Sequence, residues 1–399
     1  MKHGWEIKKL GEVVDVLDNL RKPITKRDRI EGEYPYYGAT GILSYVHNYI
    51  FSEKLVLIGE DGAKWASGDN TSFIAEGKYW VNNHAHAIRP NRKIIIDEWI
   101  VYLLNFSDLT PFITGMTVPK LNQKKMRSIP IPLPPLPEQQ RIVAILDEAF
   151  AAIAKAKANA EQNLKNAKEL FESYLQGVFE KKGDGWEEKR IEEICKLING
   201  RAYKKDELLS KGKYRVLRVG NFFTSDHWYY SDLELDEDKY CDKEDLLYAW
   251  SASFGPRIWK EEKVIYHYHI WKVIPDENLV TRDFLFTLFE WDKEKIKTAQ
   301  GTGTTMIHVS KGSMENRIIP VPPIKTQQAI VRQLDALRAK TRKLEAVYQQ
   351  KIKDLEELKK SILQKAFAGE LRSPEGAEYT NDVATPIAKK KIITSPERA

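Results

Sequence analysis

The feature that most constrains this chain is a proline-rich segment that occurs twice, each time ahead of a long stretch with helical periodicity. The first copy spans residues 134–140 and the second spans residues 322–328, 188 positions further on. The same offset relates Leu146 to Leu334. A repeat of this length indicates a duplicated architectural unit. Because proline cannot continue a helix backwards and suits its first turn, each copy predicts a sharply defined helix start.

Each long stretch carries apolar residues at alternating spacings of four and three, with polar breaks at Asn163, Thr341 and Lys351. Sustained spacing of this kind is typical of a coiled coil. The predicted packing positions are Ile142, Leu146, Ile153, Leu170 and Tyr174 in the first helix and Ile330, Leu334, Leu344, Tyr348, Leu355, Leu358 and Ile362 in the second. Burial of both helices in an ordinary globular core is the alternative, which their Lys-, Glu- and Gln-rich outer faces disfavour. At ~1.5 Å per residue each helix is roughly 60 Å long, and the two can pair antiparallel.

Length, charge and cysteine content narrow the class of protein. The chain has 399 residues, which suggests two to four domains, and a net charge of +6, which permits nucleic-acid binding without requiring it. Cys195 and Cys241 are its two cysteines, so neither a disulfide framework nor a cysteine zinc site is expected. An apolar run long enough for a membrane span and the apolar core of a signal peptide are both missing. We therefore expect a soluble, cytoplasmic protein.

The repeat extends beyond the helices. Trp5-Glu6 near the start is answered by Trp186-Glu187 after the first helix. Between these anchors, short β-rich runs separated by turn residues predict mixed α/β units. The frame repeats while the intervening sequences diverge, which favours one scaffold that presents two different surfaces. The predicted domains are two globular units at 1–133 and 183–321, two helices at 134–182 and 322–369, and a polar tail at 370–399.

Catalytic signatures are missing from the sequence. The segment 59–64 has the wrong spacing for a P-loop, and a Gly-x-Ser-x-Gly elbow does not occur. Neither Pro-Pro pair is preceded by Asn or Asp, as the amino-methyltransferase motif requires. An active site of an unrecognised kind remains an alternative.

Two His-x-His pairs offer candidate contacts, His84 with His86 and His267 with His269. Their offset of 183 predicts equivalent positions in the two units. On a strand, alternate residues share a face, so each pair could point at one ligand. Metal binding needs further ligands that the sequence does not supply at an obvious spacing, and no metal is expected. Hydrogen-bonded structural histidines and contacts to DNA are the two other interpretations.

Loops rich in Gly, Thr and Lys supply further candidates, because glycine permits close backbone approach and hydroxyl and ammonium groups contact phosphates. These residues are Thr117, Lys120, Lys124, Thr302, Thr304, Thr305, His308 and Lys311. Segments that mix aromatic, small and basic residues add Tyr37, Gly38, Thr40, Gly41, Ser251 and Arg257, and Lys64, Asn83 and Asn221 complete the set. Solvated loops and core packing of the aromatic residues are the competing interpretations.

These features together resemble the DNA-specificity (S) subunit of type I restriction–modification enzymes. The resemblance rests on the two proline-rich runs at 131–140 and 319–328, on segments 34–41 and 57–63, and on the two Trp-Glu pairs. It covers nearly the whole chain except the tail. One departure is Lys325-Thr326, where the first copy has Pro137-Glu138.

The resemblance implies α/β (α+β) target-recognition domains in tandem duplication, joined by two long antiparallel coiled-coil helices with pseudo-twofold symmetry. Each domain would read one half of a bipartite, asymmetric site in double-stranded DNA, and the helices would set the spacer. Two adenine-N6 methyltransferase subunits would dock on the chain, and restriction subunits would join through them. The chain itself would hold no catalytic residue and no cofactor, since S-adenosylmethionine, ATP and Mg would belong to the partners. A metal-dependent enzyme built on the histidine pairs and a coiled-coil protein adaptor are the alternatives.

Overall fold

The computed structural model describes residues 5–299 and 307–371. It contains two compact units. Unit 1 is formed by the residues up to Lys157 and from Lys353 onward, and unit 2 by Ala158–Ile352. The segments 300–306 and 372–399 lie outside the described residues, and with them lie Thr302, Thr304, Thr305 and nearly all of the expected tail.

Unit 1 combines an antiparallel four-stranded sheet, in the order β2-β8-β5-β6, with a three-stranded sheet β4-β3-β7 and a pair β1-β9. Its strands are β1 Glu6–Lys9, β2 Val14–Val16, β3 Tyr34–Gly38, β4 Gly41–Val46, β5 Leu55–Gly59, β6 Ser72–Ala75, β7 Trp80–Val81, β8 Ala85–Pro90 and β9 Pro130–Leu133. Its helices are α1 Leu10–Val13, α2 Asp97–Phe106, α3 Gln123–Arg127, the first part of α4 Leu136–Glu180 and the last part of α9 Ile324–Ala368.

Unit 2 repeats this plan with a four-stranded sheet β11-β19-β15-β17, a second sheet β13-β12-β18-β14, and the pairs β10-β21 and β16-β20. Its strands are β10 Glu187–Arg190, β11 Cys195–Asn199, β12 Tyr214–Leu217, β13 Tyr229–Ser231, β14 Tyr240–Cys241, β15 Leu246–Ala249, β16 Ser251–Ala252, β17 Gly255–Ile258, β18 Val264–Tyr266, β19 Ile270–Pro275, β20 Ile307–His308 and β21 Ile318–Val321. Its helices are the last part of α4, α5 Ile191–Ile194, α6 Val219–Phe223, α7 Arg282–Ala299, α8 Lys311–Glu315 and the first part of α9.

One of the two inner strands of each four-stranded sheet, β5 in unit 1 and β15 in unit 2, is buried on both faces. In β5, Val56 and Ile58 pack into the cluster that contains α2, whereas Leu55 and Leu57 pack into a second cluster on the other face. This division follows from the two-residue period of a strand. In unit 2, β15 divides its side chains between two clusters in the same way. A strand buried on both faces explains why these runs are apolar throughout instead of alternating.

A buried glutamine anchors the start of each long helix. Gln139 Nε2 donates to the carbonyl oxygens of Ile94 and Pro134, both at 2.8 Å, and its Oε1 accepts from the Ile96 N–H at 3.1 Å. Gln327 makes the same three contacts, with Leu279 O, Pro322 O and Thr281 N–H. The duplicated segment is therefore a joint that ties each helix to the loop ahead of α2 or α7. The substitution of Lys325-Thr326 for Pro137-Glu138 leaves this joint unchanged.

The long helices run antiparallel within each unit. In unit 1, Lys157 Nζ lies 2.7 Å from Glu356 Oε1, and Arg141 reaches the Leu371 carbonyl at 2.9 Å. In unit 2, Arg338 lies over the ring of Phe171, and the Tyr174 hydroxyl donates to Gln333 Oε1 at 3.1 Å. Each helix thus contributes its first half to one unit and its second half to the other.

The buried stripe follows the predicted heptad at first and then departs from it. Ile142, Leu146, Ile153, Ile330 and Leu334 are buried, and Leu344, Tyr348, Leu355 and Ile362 are partly buried. Leu170 and Leu358, however, are 48% and 47% exposed, so their assignment to the packing stripe is wrong. Tyr174 is 41% exposed but contacts the other long helix, because its hydroxyl donates to Gln333 Oε1 at 3.1 Å. Leu175, Phe179, Leu363 and Ala366 are buried near Leu170 and Leu358 instead. A straight α-helix drifts about 20° per heptad from a 3.5-residue repeat, and after four or five heptads the stripe has moved by one residue.

Across the part of the chain that the structure describes, no helix is both long and apolar enough to cross a membrane.

Candidate nucleic-acid interface

One end of the four-stranded sheet in unit 1 brings two of the candidate residues, His84 and Lys120, together with Asp61, which the sequence analysis did not single out. The pairing of β5 with β8 ends at Gly59 and Ala85, and beyond it the Glu60 N–H donates to the His84 carbonyl at 2.9 Å. The Leu121 N–H donates to the Glu60 carbonyl at 2.8 Å, and Asp61 forms an isolated antiparallel bridge with Lys120. We call Asp61, His84 and Lys120 edge 1. Main-chain hydrogen bonds fix its three positions.

A network of charged groups lies directly beneath edge 1. The Glu60 carboxylate lies 2.6 Å from Arg21 Nη1 and 2.9 Å from Lys120 Nζ. Arg21 also donates to the Ala85 carbonyl at 2.6 Å and lies 3.4 Å from Asp18. Because buried charges are tolerated only when they are paired and hydrogen-bonded, this network ties the segment around residue 21 to the sheet end.

Burial would raise the pKa of Asp18, but the hydrogen bond and charge of His86 and the charge of Arg21 outweigh it and hold that pKa below its ordinary value. The carboxylate is therefore kept ionised beneath the edge.

His86 is part of this network and does not reach the surface. It is fully buried, with Nδ1 2.6 Å from Asp18 Oδ2 and Nε2 2.7 Å from the Leu121 carbonyl. Both ring nitrogens are used inside the unit, so the expectation that His86 contacts DNA is wrong and the structural interpretation holds for this residue. Its neighbours Ala85, Ala87 and Ile88 form an apolar run, which is the sequence signal for a buried strand position.

His84 lies differently. Its side chain is 51% exposed, and its Nδ1 is hydrogen-bonded to Asp61 Oδ1. A carboxylate thus orients the ring while half of the side chain faces solvent. Of the two histidines predicted in this unit, His84 is the one available to a ligand.

A short loop projects beside edge 1. Thr114 and Lys120 close it with two main-chain hydrogen bonds of 2.9 and 2.8 Å. Gly115 has φ +91°, and a Cβ there would meet the Val118 carbonyl at 2.4 Å, so the turn requires glycine. Met116, Thr117 and Val118 are exposed at the tip. The loop therefore presents apolar and hydroxyl groups to solvent next to His84.

The remaining candidates of unit 1 separate into exposed and packed residues. Thr40, Lys64, Asn83 and Lys124 are exposed, and Gly41 supplies the positive φ between β3 and β4. Tyr37 packs on Phe73 and Tyr79, and Gly38 is buried against Leu43. For Tyr37 and Gly38, packing accounts for the position. DNA contacts from the exposed residues stay predictions.

Unit 2 builds its sheet end with the same main-chain bonds. The Trp250 N–H donates to the His269 carbonyl at 3.0 Å, the Val309 N–H donates to the Trp250 carbonyl at 3.1 Å, and Ser251 pairs with His308. We call Ser251, His269 and His308 edge 2. The equivalent positions are Glu60 and Trp250, Asp61 and Ser251, His84 and His269, His86 and Trp271, and Lys120 and His308.

This register corrects the expected equivalence of the histidine pairs. The offset of 183 matched His84 to His267, whereas the strand pairing matches His84 to His269, an offset of 185. His267 and His269 also lie at a turn between β18 and β19 rather than along a strand. The loops between equivalent strands differ in length, so a constant offset does not carry across the unit.

Three candidates of unit 2 line one cleft. Asn221, His267 and His269 surround a cleft of about 390 Å³, together with Arg218 and Tyr229. Burial lowers the pKa of His267 to about 4, and the neighbouring charges of His269 and Arg218 act in the same direction. His267 is therefore neutral at pH 7, so one of its ring nitrogens donates a hydrogen bond and the other accepts one.

The other candidates of unit 2 lie elsewhere. Ser251 is nearly buried at edge 2. Arg257 donates to the Phe222 carbonyl and stacks over Phe222 and Trp259, which places its guanidinium within the unit. Lys311 is exposed and lies 3.5 Å from Glu315. Only the main chain of His308 is described. Among the described residues, no group of three or more His, Cys, Asp or Glu side chains is placed to hold a metal ion.

The chain matches the family described as "Type I restriction modification DNA specificity domain" over residues 2–165 and again over 183–354. It is 30% identical over 347 residues to a protein of Haemophilus influenzae named as a type I restriction enzyme specificity subunit, covering 84% of this chain and 88% of that protein.

Two solved structures share the fold. One is a chain from work on complex assembly and conformational transition of the type I R-M system, with a TM-score of 0.73 and 19% identity, covering 93% of this chain and 99% of that chain. The other is the HsdS subunit from Thermoanaerobacter tengcongensis, with a TM-score of 0.60 and 19% identity, covering 93% and 98%.

These matches define a tandem DNA-specificity protein. The chain belongs to the type I restriction–modification DNA specificity family, and it carries two copies of the family's domain, one in each repeat.

Proposed function

We propose that the chain is the non-catalytic sequence-specificity subunit of a type I restriction–modification system, in which each unit reads one half of a bipartite, asymmetric DNA site. One observation carries the proposal: edges 1 and 2 stand on the same main-chain hydrogen bonds and carry different residues at the equivalent positions. Two equivalent surfaces with different chemistry suit two half-sites of different sequence. Base edges in the major groove supply the donor and acceptor pattern that such surfaces read.

The long helices set the spacer in this proposal. Their antiparallel course would place the two half-sites about one turn of DNA apart, near 34–36 Å between centres. The glutamine joints at Gln139 and Gln327 support the idea, because they tie the direction of each helix to the unit that precedes it.

Methylation belongs to partner subunits in this proposal. The chain would dock two adenine-N6 methyltransferase subunits and, through them, the restriction subunits. S-adenosylmethionine, ATP and Mg would be bound by those partners. The similarity to a chain solved in work on assembly of the type I R-M system supports such docking.

The test is to co-express the chain with its methyltransferase subunit and map methylated adenines across the host DNA. We expect a split, asymmetric motif with one methyladenine in each half. A stable complex that leaves the DNA unmodified would contradict the proposal and favour the adaptor interpretation.

A second experiment tests the spacer. Seven residues inserted into each long helix, on the unit 2 side of the pair, lengthen it by about 10 Å and rotate the stripe by only about 20°. We expect the preferred spacer to grow by about three base pairs while both half-sites stay the same. An insertion of four residues, which rotates the stripe by about 40°, is the matched control for disrupted packing. An unchanged spacer in a folded, active seven-residue variant would contradict the proposal that the helices set the spacer.

A further inference from the structure

We infer that Asp61 and His84 form a nucleobase-reading pair in unit 1, in which Asp61 fixes the ring of His84 and Nε2 of that ring contacts a base edge in the major groove. The inference rests on the proposed function and assigns one contact within it.

The geometry of the pair determines its chemistry. Nδ1 of His84 is hydrogen-bonded to a carboxylate oxygen of Asp61. An ionised carboxylate only accepts hydrogen bonds, so the ring proton lies on Nδ1. In the neutral ring Nε2 is then an acceptor, which matches the exocyclic amino groups that adenine and cytosine present in the major groove. The 51% exposure of the His84 side chain leaves it accessible to such a partner.

The orienting carboxylate is itself held in place. Asp61 is joined to Lys120 by the antiparallel bridge, and Lys120 Nζ lies 3.8 Å from Asp61 Oδ2 and 2.9 Å from Glu60 Oε1. The main chain of His84 is bonded to Glu60. A binding group whose support is fixed by packing and hydrogen bonds is presented with little loss of entropy on binding. Such a supported arrangement distinguishes His84 from an ordinary surface histidine.

Edge 2 shows what changes when the carboxylate is absent. His269 occupies the position equivalent to His84, but Ser251 replaces Asp61. Ser251 is uncharged and buried, so edge 2 lacks, at this position, the carboxylate that orients the histidine ring in unit 1. The residues at the same main-chain positions therefore differ between the two edges. That difference is what two unlike half-sites require.

The experiment uses the complete complex with its methyltransferase subunits, and duplexes that each carry one base-pair change in the mapped site. For His84→Ala we expect discrimination at one base pair of one half-site to fall by roughly 5- to 100-fold. The other half-site should be read as before. Asp61→Asn should weaken discrimination at that same base pair by a smaller factor, which identifies Asp61 as a positioning residue. His84→Gln, which keeps a polar side chain, is measured alongside to guard against misfolding.

Two matched controls separate the alternatives. Lys124→Ala removes an exposed cation four residues after Lys120 and should lower affinity for every duplex equally, with a weaker salt dependence. His269→Ala should relax a position in the opposite half-site.

Loss of affinity by His84→Ala that is uniform across all duplexes would contradict base reading, as would an unchanged motif. A wild-type complex that methylates no bipartite site would contradict the proposed function itself.

Discussion

Units 1 and 2 fold on one main-chain frame, yet the interior beneath their edges differs in kind. Unit 1 places Glu60 and His86 there, in an ionic network with Arg21 and Asp18. Unit 2 places Trp250 and Trp271 at the same two positions, with ring centroids 5.9 Å apart. A buried ion network and an aromatic stack can therefore support the same strand ends. The frame is therefore held by main-chain hydrogen bonds and by the inner strands β5 and β15, whereas the side chains beneath the edge can differ between the units.

The largest effect is expected from removing the aromatic stack of unit 2. Trp271 is almost fully buried, and Trp271→Ala should cost about 3–5 kcal/mol in the free energy of opening of unit 2. Hydrogen exchange followed by mass spectrometry measures this for each unit separately, which suits a chain with two units. Phe223→Ala, at an exposed aromatic residue of the same unit, is the control. Equal losses of opening free energy in both units would contradict the expectation that Trp271→Ala destabilises unit 2 alone.

The next effect tests what the two units share. Gln139→Ala and Gln327→Ala each leave one buried N–H and two carbonyls without their side-chain partner, so each should cost about 2–4 kcal/mol in its own unit. Gln140→Ala and Gln328→Ala, at exposed glutamines one residue on, should change stability by less than about 0.5 kcal/mol. Thermal unfolding and hydrogen exchange provide the measurement. A large loss in one unit and none in the other would mean that the joints are not equivalent.

Acidification should distinguish the units. The pKa of His267 falls from 6.5 to about 4 on folding, so below pH 6.5 the unfolded chain binds a proton that the folded unit 2 does not. Unit 2 should thus lose at most about 3 kcal/mol as the pH drops from 6.5 to 4. The pKa of Asp18 is lowered from 3.8, so its contribution to unit 1 is present above that pH and lost only below it.

Hydrogen exchange measured as a function of pH should therefore show that, as the pH falls, the free energy of opening decreases in unit 2 before it decreases in unit 1. His267→Gln is expected to reduce the pH dependence of the stability of unit 2 and to leave the pH dependence of unit 1 unchanged. A titration of the His267 ring near pH 6.5 would contradict the assignment.

The smallest effect is expected at helix positions that lie off the buried stripe. Leu170 is 48% exposed, so Leu170→Ala should change stability by no more than about 0.5 kcal/mol. Leu175→Ala, at a buried position five residues on, should cost about 2–4 kcal/mol. Urea unfolding measures the stability cost of both variants. Equal stability costs for the two variants would contradict the departure of the buried stripe from the predicted heptad at Leu170.

The sequence predicted the repeated frame well because its signals are local. The prolines define the helix starts, and α4 and α9 begin at Leu136 and Ile324, as the duplication requires. The strand-like runs 54–58 and 263–266 overlap β5 and β18, with errors of one residue at their ends.

What the sequence did not predict depends on distant contacts. The carboxylate that hydrogen-bonds His86 belongs to Asp18, 68 positions away in the sequence. The cation that pairs with Glu60 belongs to Arg21, 39 positions away. Neither spacing leaves a periodic trace. The heptad failed at Leu170 because a small angular error accumulates along a helix. The histidine pairs were misaligned because loop lengths differ between the units, which strand register reveals and a fixed offset does not.

The main-chain bonds at each edge also bear on how readily such a protein can change. The Glu60 N–H to His84 carbonyl bond, and its equivalent between Trp250 and His269, involve no side-chain atom of the residues that face outward. A library that randomises positions 61 and 84 should consequently yield mostly folded members, since the backbone geometry does not depend on their identity. Mutational tolerance of this kind separates the ability to acquire a new target from the risk of losing the fold.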